Sequence, residues 1–239
     1  MKRLGIADRL RWIVEDIHRN GPIVIWWLIK MHLSPAARAK QRRIVRDGQR
    51  YDAEHGYKTV PIVTLDNLDI IGASGDAKHH QPVPVEGFDS ALALIDVPFE
   101  TATFIDLGSG MGRAVLMAAE RPFQRVIGVE FAREFHEIAV ANLERREALH
   151  GPAPRIVLVH DNAVALPVPD GPLVYFLYNS FGPPTLTEVL GKIHASWQAA
   201  PRPVRLIYYN AEHRDELART GFRTLSDPSN PLFTIFEPA

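Results

Sequence analysis

From Gly87 onward, short apolar runs rich in β-branched and aromatic residues alternate with longer segments whose apolar positions recur about every three to four residues. The first pattern is that of buried strands and the second that of amphipathic helices. The strands read in this way are 103–107, 125–130, 155–160, 173–179, 204–209, 222–225 and 232–236, and the helices are 88–95, 112–121, 132–150, 184–199 and 212–220. Each of the first five strands is separated from the next by a stretch long enough for a crossover, which predicts parallel pairing with right-handed connections. Only residues 226–231 join the last two, so that pair is expected as an antiparallel hairpin. The pattern therefore predicts an α/β protein: a Rossmann-like, seven-stranded, mostly parallel sheet with a C-terminal antiparallel hairpin, spanning residues 86–239.

Residues 1–85 have a different texture and read as a basic, helical accessory region. Ile6, Leu10, Ile13, Val14 and Ile17 stand at helical spacing with Arg3, Arg9, Arg11 and Arg19 opposite, and Asn20-Gly21-Pro22 ends that helix. The most apolar run follows, from Pro22 to Leu33, with Trp26, Trp27 and Lys30 inside it. It falls short of the ~20 apolar residues that span a bilayer, and Glu15, Asp16 and Lys30 argue against a signal peptide. Residues 36–50 form a basic helical stretch, and 51–80 are turn-rich.

Composition sharpens this picture in two places. Cysteine is absent, which excludes disulfides, thiolate metal sites and cysteine nucleophiles. The formal net charge of −1 hides a basic front: residues 1–50 carry 12 Lys+Arg against 4 Asp+Glu, +8, leaving −9 for the rest. Such a split points to contact of the front with an anionic lipid surface or with another protein subunit, with nucleic acid the weaker alternative, and an intramolecular match to the acidic body would read the same. The expected localisation is cytoplasmic, with peripheral membrane attachment through residues 1–50 as a variant. His79-His80, His55 and His213 show no ligand spacing on one helix, so no metal site is expected.

The chemistry concentrates in Phe104-Ile-Asp-Leu-Gly-Ser-Gly-Met-Gly-Arg113. A strand carrying Asp106 runs into a turn with glycines at 108, 110 and 112, Ser109 between them, and then a helix. Glycines there permit positive φ and let a ligand lie on bare backbone, while the helix start favours an anionic group. At the carboxyl end of the first strand, where open α/β sheets bind ligands, Asp106 suits an ammonium group. The second strand ends in Glu130, followed by Phe131, where a carboxylate accepts both hydroxyls of a ribose.

This stretch resembles the first motif of class I S-adenosylmethionine-dependent methyltransferases, an apolar strand followed by Asp-x-Gly-x-Gly-x-Gly. The resemblance covers about 88–237 in element order, and the upstream Gln81-Pro-Val-Pro84 adds a likeness to protein lysine methyltransferases of the histone-core type. It implies S-adenosylmethionine as cofactor, Asp106 on its amino group, Glu130 on its ribose, and Asp161-Asn162, after the third strand, at its adenine. It also implies an acceptor site at the end of the fourth strand, where Asn179 and Phe181 resemble the ends of a motif that orients an amine in amino-group methyltransferases. Ser180 departs from that motif, which carries two prolines and is one residue longer. The implied acceptor is an amine of a protein or a small molecule, and no residue stands out as the base. Two alternatives stay open: a nicotinamide dinucleotide oxidoreductase, although Arg113 occupies the place of that fingerprint's third glycine, and a cofactor-binding protein without turnover.

Overall fold

The computed structural model describes residues 35–60, 82–153, 155–226, 230 and 232–239. The helix expected at 6–17, the apolar run at 22–33 and the His79-His80 pair lie outside the described residues. The elements in chain order are α1 (Pro35–His55), α2 (Val85–Leu92), β1 (Thr103–Leu107), α3 (Arg113–Ala119), β2 (Arg125–Glu130), α4 (Arg133–His150), β3 (Ile156–His160), β4 (Leu173–Leu177), α5 (Pro183–Ala199), β5 (Val204–Tyr209), α6 (Arg214–Arg219), β6 (Phe222–Thr224) and β7 (Phe233–Pro238).

The chain divides into two compact units, Met1–Asp47 and Gly48–Ala239. In the first, Arg42, Arg43 and Arg46 are exposed along α1, and Arg43 lies 3.5 Å from Asp47 one turn on. Among the described residues no helix is long and apolar enough to cross a membrane. The second unit holds the sheet and everything packed on it.

The described strands form one seven-stranded sheet in the order β3-β2-β1-β4-β5-β7-β6. β1, β2, β3, β4 and β5 pair in parallel, whereas β7 runs antiparallel to both β5 and β6. The expected hairpin is therefore present, but its second strand inserts beside β5 and its first strand becomes the sheet edge. β4 stops at Leu177, two residues short of the sequence reading, because Asn179 takes a left-handed φ of 49° that turns the chain out of the strand.

Strand alternation splits the core into two layers. On one face Phe104, Val126, Val174, Phe176 and Ile235 pack with Phe88 of α2 and Val115 of α3. On the other, Ile105, Ile127, Tyr175, Leu206 and Phe236 pack with Leu186, Val189 and Ile193 of α5. Each of these fully buried large side chains contributes about 1.5–3 kcal/mol of transfer free energy, so continuous apolar strands such as Leu173-Val-Tyr-Phe-Leu177 are accounted for by cover on both faces. The chain leaves β1 toward β2 and later returns to pair β4 on β1's other side, which opens a switch point between the loops that follow β1 and β4.

Candidate functional site

Asp106 lies on the same strand face as Phe104, beside Gly128 of β2, its register partner. Gly128 has no room for a side chain: a Cβ there would stand 2.6 Å from Val115 Cγ2 and 3.0 Å from Ser109 Oγ. This bare strand position lets the turn after β1 settle over β2. The backbone N–H groups of Gly108 and Ser109 both donate to the Val129 carbonyl, at 3.0 and 2.9 Å. Gly108, Gly110 and Gly112 all adopt positive φ, 78°, 53° and 85°. The three glycines singled out in the sequence are thus required by backbone conformation.

Glu130, at the end of β2, aims into the same turn. Its Oε2 accepts from the Gly110 N–H at 2.8 Å and its Oε1 from the Ala132 N–H at 2.9 Å, and the Phe131 N–H faces it as well. Burial pushes its carboxyl up to about 7 against the opposing pull of those N–H groups. Asp106 is 3% exposed, and among the described residues no donor is bonded to its carboxylate. Burial, and then the nearby Glu130 charge, raise it well above the usual carboxylate range.

The end of β3 adds Asp161 and Asn162, both half-buried, in a tight turn in which Asp161 Oδ1 accepts from the Asn162 N–H at 2.7 Å and Asn162 Oδ1 from the Val164 N–H at 2.9 Å. The Asp161 N–H donates to the Glu130 carbonyl at 3.1 Å, which fixes this turn beside Glu130. His160 pairs with Glu130 across the strands, and its ring stacks on His136 at 5.2 Å.

Across the switch point, Ser180 Oγ donates to the Leu107 carbonyl at 2.9 Å and sits against Gly108, where a Cβ would come within 2.5 Å of Ser180 Cβ. This contact clamps the loop after β4 to the glycine turn. Asn179, 8% exposed, accepts at Oδ1 from the Tyr208 hydroxyl at 3.1 Å. Phe181 is 7% exposed and packs in the α5 layer with Leu107, Leu177 and Leu186.

Four residues help build this site in roles the sequence pattern did not show: Gly128, Ser180, Tyr208 and Arg113. Arg113 is 3% exposed, and its guanidinium donates to Thr59 Oγ1 at 2.7 Å, to the Gly48 carbonyl at 3.2 Å and to Asp52 at 3.4 Å, over the Tyr51 ring. Asp52 in turn accepts from the Thr59 and Val60 N–H groups. Asn142 of α4 bonds both backbone groups of Lys58 and the Met111 carbonyl. Residues 48–60 are thereby fastened to the start of α3 and to the glycine turn. Among the described residues no cluster of His, Asp or Glu is arranged to hold a metal.

No family model matches the chain, and no curated protein matches it. Solved structures do resemble it. A predicted N6-adenine-specific DNA methylase from Listeria monocytogenes is 10% identical with a TM-score of 0.50, over 65% of this chain and 51% of that one. The mitomycin 7-O-methyltransferase is 18% identical with a TM-score of 0.47, over 65% of this chain and 54% of that one. A complex of the protein LepI with SAM is 19% identical with a TM-score of 0.44, over 64% of this chain and 46% of that one. The chain spans about half the length of these structures. Strand order, the antiparallel β7 and the likeness at a TM-score of 0.50 agree that the chain has the α/β fold of class I S-adenosylmethionine-dependent methyltransferases.

Proposed function

We propose that this chain transfers the methyl group of S-adenosylmethionine to an acceptor bound beside Asn179. The observation that carries the reading is Asp106, a buried carboxylate with no protein donor, placed next to a turn of three positive-φ glycines. A buried acid without a partner is costly unless a cation arrives, and the ammonium group of S-adenosylmethionine is such a cation. Glu130 accepts from the Gly110 and Ala132 N–H groups, with the Phe131 N–H beside them, and the lone-pair capacity its two oxygens retain suits a ribose hydroxyl. On this reading Asp161 and Asn162, fixed beside Glu130, would face the adenine, and the glycine backbone offers the close approach the ligand needs. Phe131, directly after Glu130, is half-buried at the same rim.

Bound S-adenosylmethionine supplies an electrophilic methyl on a sulfonium. What remains for the chain is alignment of the acceptor in line with the breaking bond and exclusion of water. Ser180 contributes by tying the acceptor loop to the glycine turn. The amine acceptor expected from the sequence rests on the likeness of residues 179–181 to the amino-group motif, and the acceptor class turns on which end of the Asn179 amide the site presents. A nicotinamide dinucleotide suits the site less well, because the buried carboxyl of Asp106 offers nothing to a pyrophosphate and the third-glycine place holds the fully engaged Arg113.

The test is thermal. Saturation with S-adenosylhomocysteine at about a hundred times its dissociation constant adds ~2.7 kcal/mol to the native state, expected as a rise of about 5–10 °C in melting temperature. Nicotinamide dinucleotides at equal concentration are expected to leave it unchanged; a rise with them alone would favour the oxidoreductase reading.

A further inference from the structure

The notable feature on the acceptor side is which end of the Asn179 amide is already taken. Tyr208 is fully buried in β5, so its hydroxyl proton needs a protein acceptor, and Asn179 Oδ1 at 3.1 Å is the one it meets. The His213 backbone N–H is turned toward the same hydroxyl oxygen, which gives that oxygen a donor of its own. Flipping the amide would set its N–H against an oxygen already facing a donor and leave the buried hydroxyl proton without an acceptor. Oδ1 is therefore committed to Tyr208. Among the described residues Nδ2 has no protein partner, nor is it sealed from solvent. The left-handed backbone at Asn179 and the bond from the next residue, Ser180, to the Leu107 carbonyl fix the loop that carries this amide against the end of β1.

We infer that the acceptor is an oxygen nucleophile, a hydroxyl or carboxylate, oriented by a hydrogen bond from Asn179 Nδ2. This deepens the proposed methyl transfer and rests on it. An amine nitrogen has a single lone pair, and that pair must attack the methyl carbon, so a donor aimed at it competes with the reaction. An oxygen accepts the Nδ2 hydrogen bond on one lone pair and attacks with another. In the transfer, the new bond joins oxygen to the methyl carbon, and the carbon–sulfur bond breaks with its electron pair left on sulfur as the thioether. A hydroxyl acceptor gives up its proton to solvent, and a carboxylate has none to lose. Asn179 would thus be a catalytic residue by contact with the reacting atom, and Tyr208 a positioning residue acting through it.

The test uses the full-length chain, S-adenosylmethionine labelled in its methyl group, and lysate of the host as the source of acceptors. Labelled product is expected to release its methyl as methyl iodide in hydriodic acid under conditions that leave N-methyl groups intact. Asn179→Asp keeps the oxygen facing Tyr208 and replaces the donor by an acceptor; it should lower labelling at least tenfold, with affinity for S-adenosylhomocysteine within about threefold of wild type. Tyr208→Phe frees the amide to rotate, and should lower the single-turnover rate while leaving that affinity equally intact. Label retained on nitrogen, full labelling by Asn179→Asp with its fold and cofactor affinity preserved, or no transfer at all by wild type that binds S-adenosylhomocysteine would overturn the inference. Failure of wild type to bind S-adenosylhomocysteine would instead remove the methyltransferase reading beneath it.

Discussion

Asp106 and Glu130 are two acids held in a place where neither ionises freely, and the cost shows as pH dependence. A carboxyl whose pKa is higher folded than unfolded binds more protons in the folded state between the two values, so stability falls as pH rises through that window. For Glu130 the window runs from the ordinary value, 4.5, to about 7. The loss is complete above it and amounts to ~3 kcal/mol at most. Asp106, raised in the same direction, adds to it. The ligand-free protein is therefore expected to melt at a lower temperature at pH 7.5 than at pH 5, and Glu130→Gln should flatten that slope; a melting temperature that climbs over this range would contradict the electrostatics. In the proposed complex an ammonium beside Asp106 and hydroxyls on Glu130 would both favour the ionised forms and so reverse the balance. Calorimetric titration below pH 7 in buffers of different ionisation heat should therefore register net proton release.

At the scale of elements, the glycine turn was legible in the sequence because its causes are local: strand, acid, glycines and helix follow one another within Phe104–Arg113. The seven strands were legible for the same reason, their ends excepted. What the sequence hid are contacts between distant segments. Arg113 reads as a misfit in a dinucleotide fingerprint, yet it meets Gly48, Asp52, Thr59 and Val83, and no local pattern links those positions. Ser180 reads as a lost proline, yet it is the clamp onto Leu107. Phe181 packs in the α5 layer with Leu107, Leu177 and Leu186, contacts that no local pattern displays. The Arg113 cluster makes a stability prediction: removing one partner of a buried pair leaves an unbalanced charge, so Arg113→Ala should lower the unfolding free energy by about 3–5 kcal/mol. Asp52→Asn, which keeps part of the hydrogen-bond set, should cost less. Denaturant melts of both variants decide it; a loss under about 1 kcal/mol for Arg113→Ala would show that residues 48–60 are not held through this contact.

On the scale of the whole molecule, two properties stand apart: a sheet whose switch point gathers the acids, glycines and Asn179, and a front of +8 on a remainder of −9. The second was read from charge and apolar pattern alone. If the front meets lipid, the full chain should sediment with anionic vesicles and lose that property, but not cofactor affinity, when residues 1–33 are deleted; an intact chain that ignores vesicles points to a protein partner instead. The first was legible down to its motif, while the donor end of Asn179 appeared only once Tyr208 was seen beside it. The central claim is that Asp106 and Glu130 hold S-adenosylmethionine, and direct calorimetric titration of S-adenosylhomocysteine into wild type, Asp106→Ala and Glu130→Ala at pH 7.5 tests it most simply. Saturable one-to-one binding by wild type is predicted, weakened in each variant by about 1.5–3 kcal/mol, roughly ten- to a hundred-fold. Undiminished affinity in both variants, with their fold intact, would contradict the account.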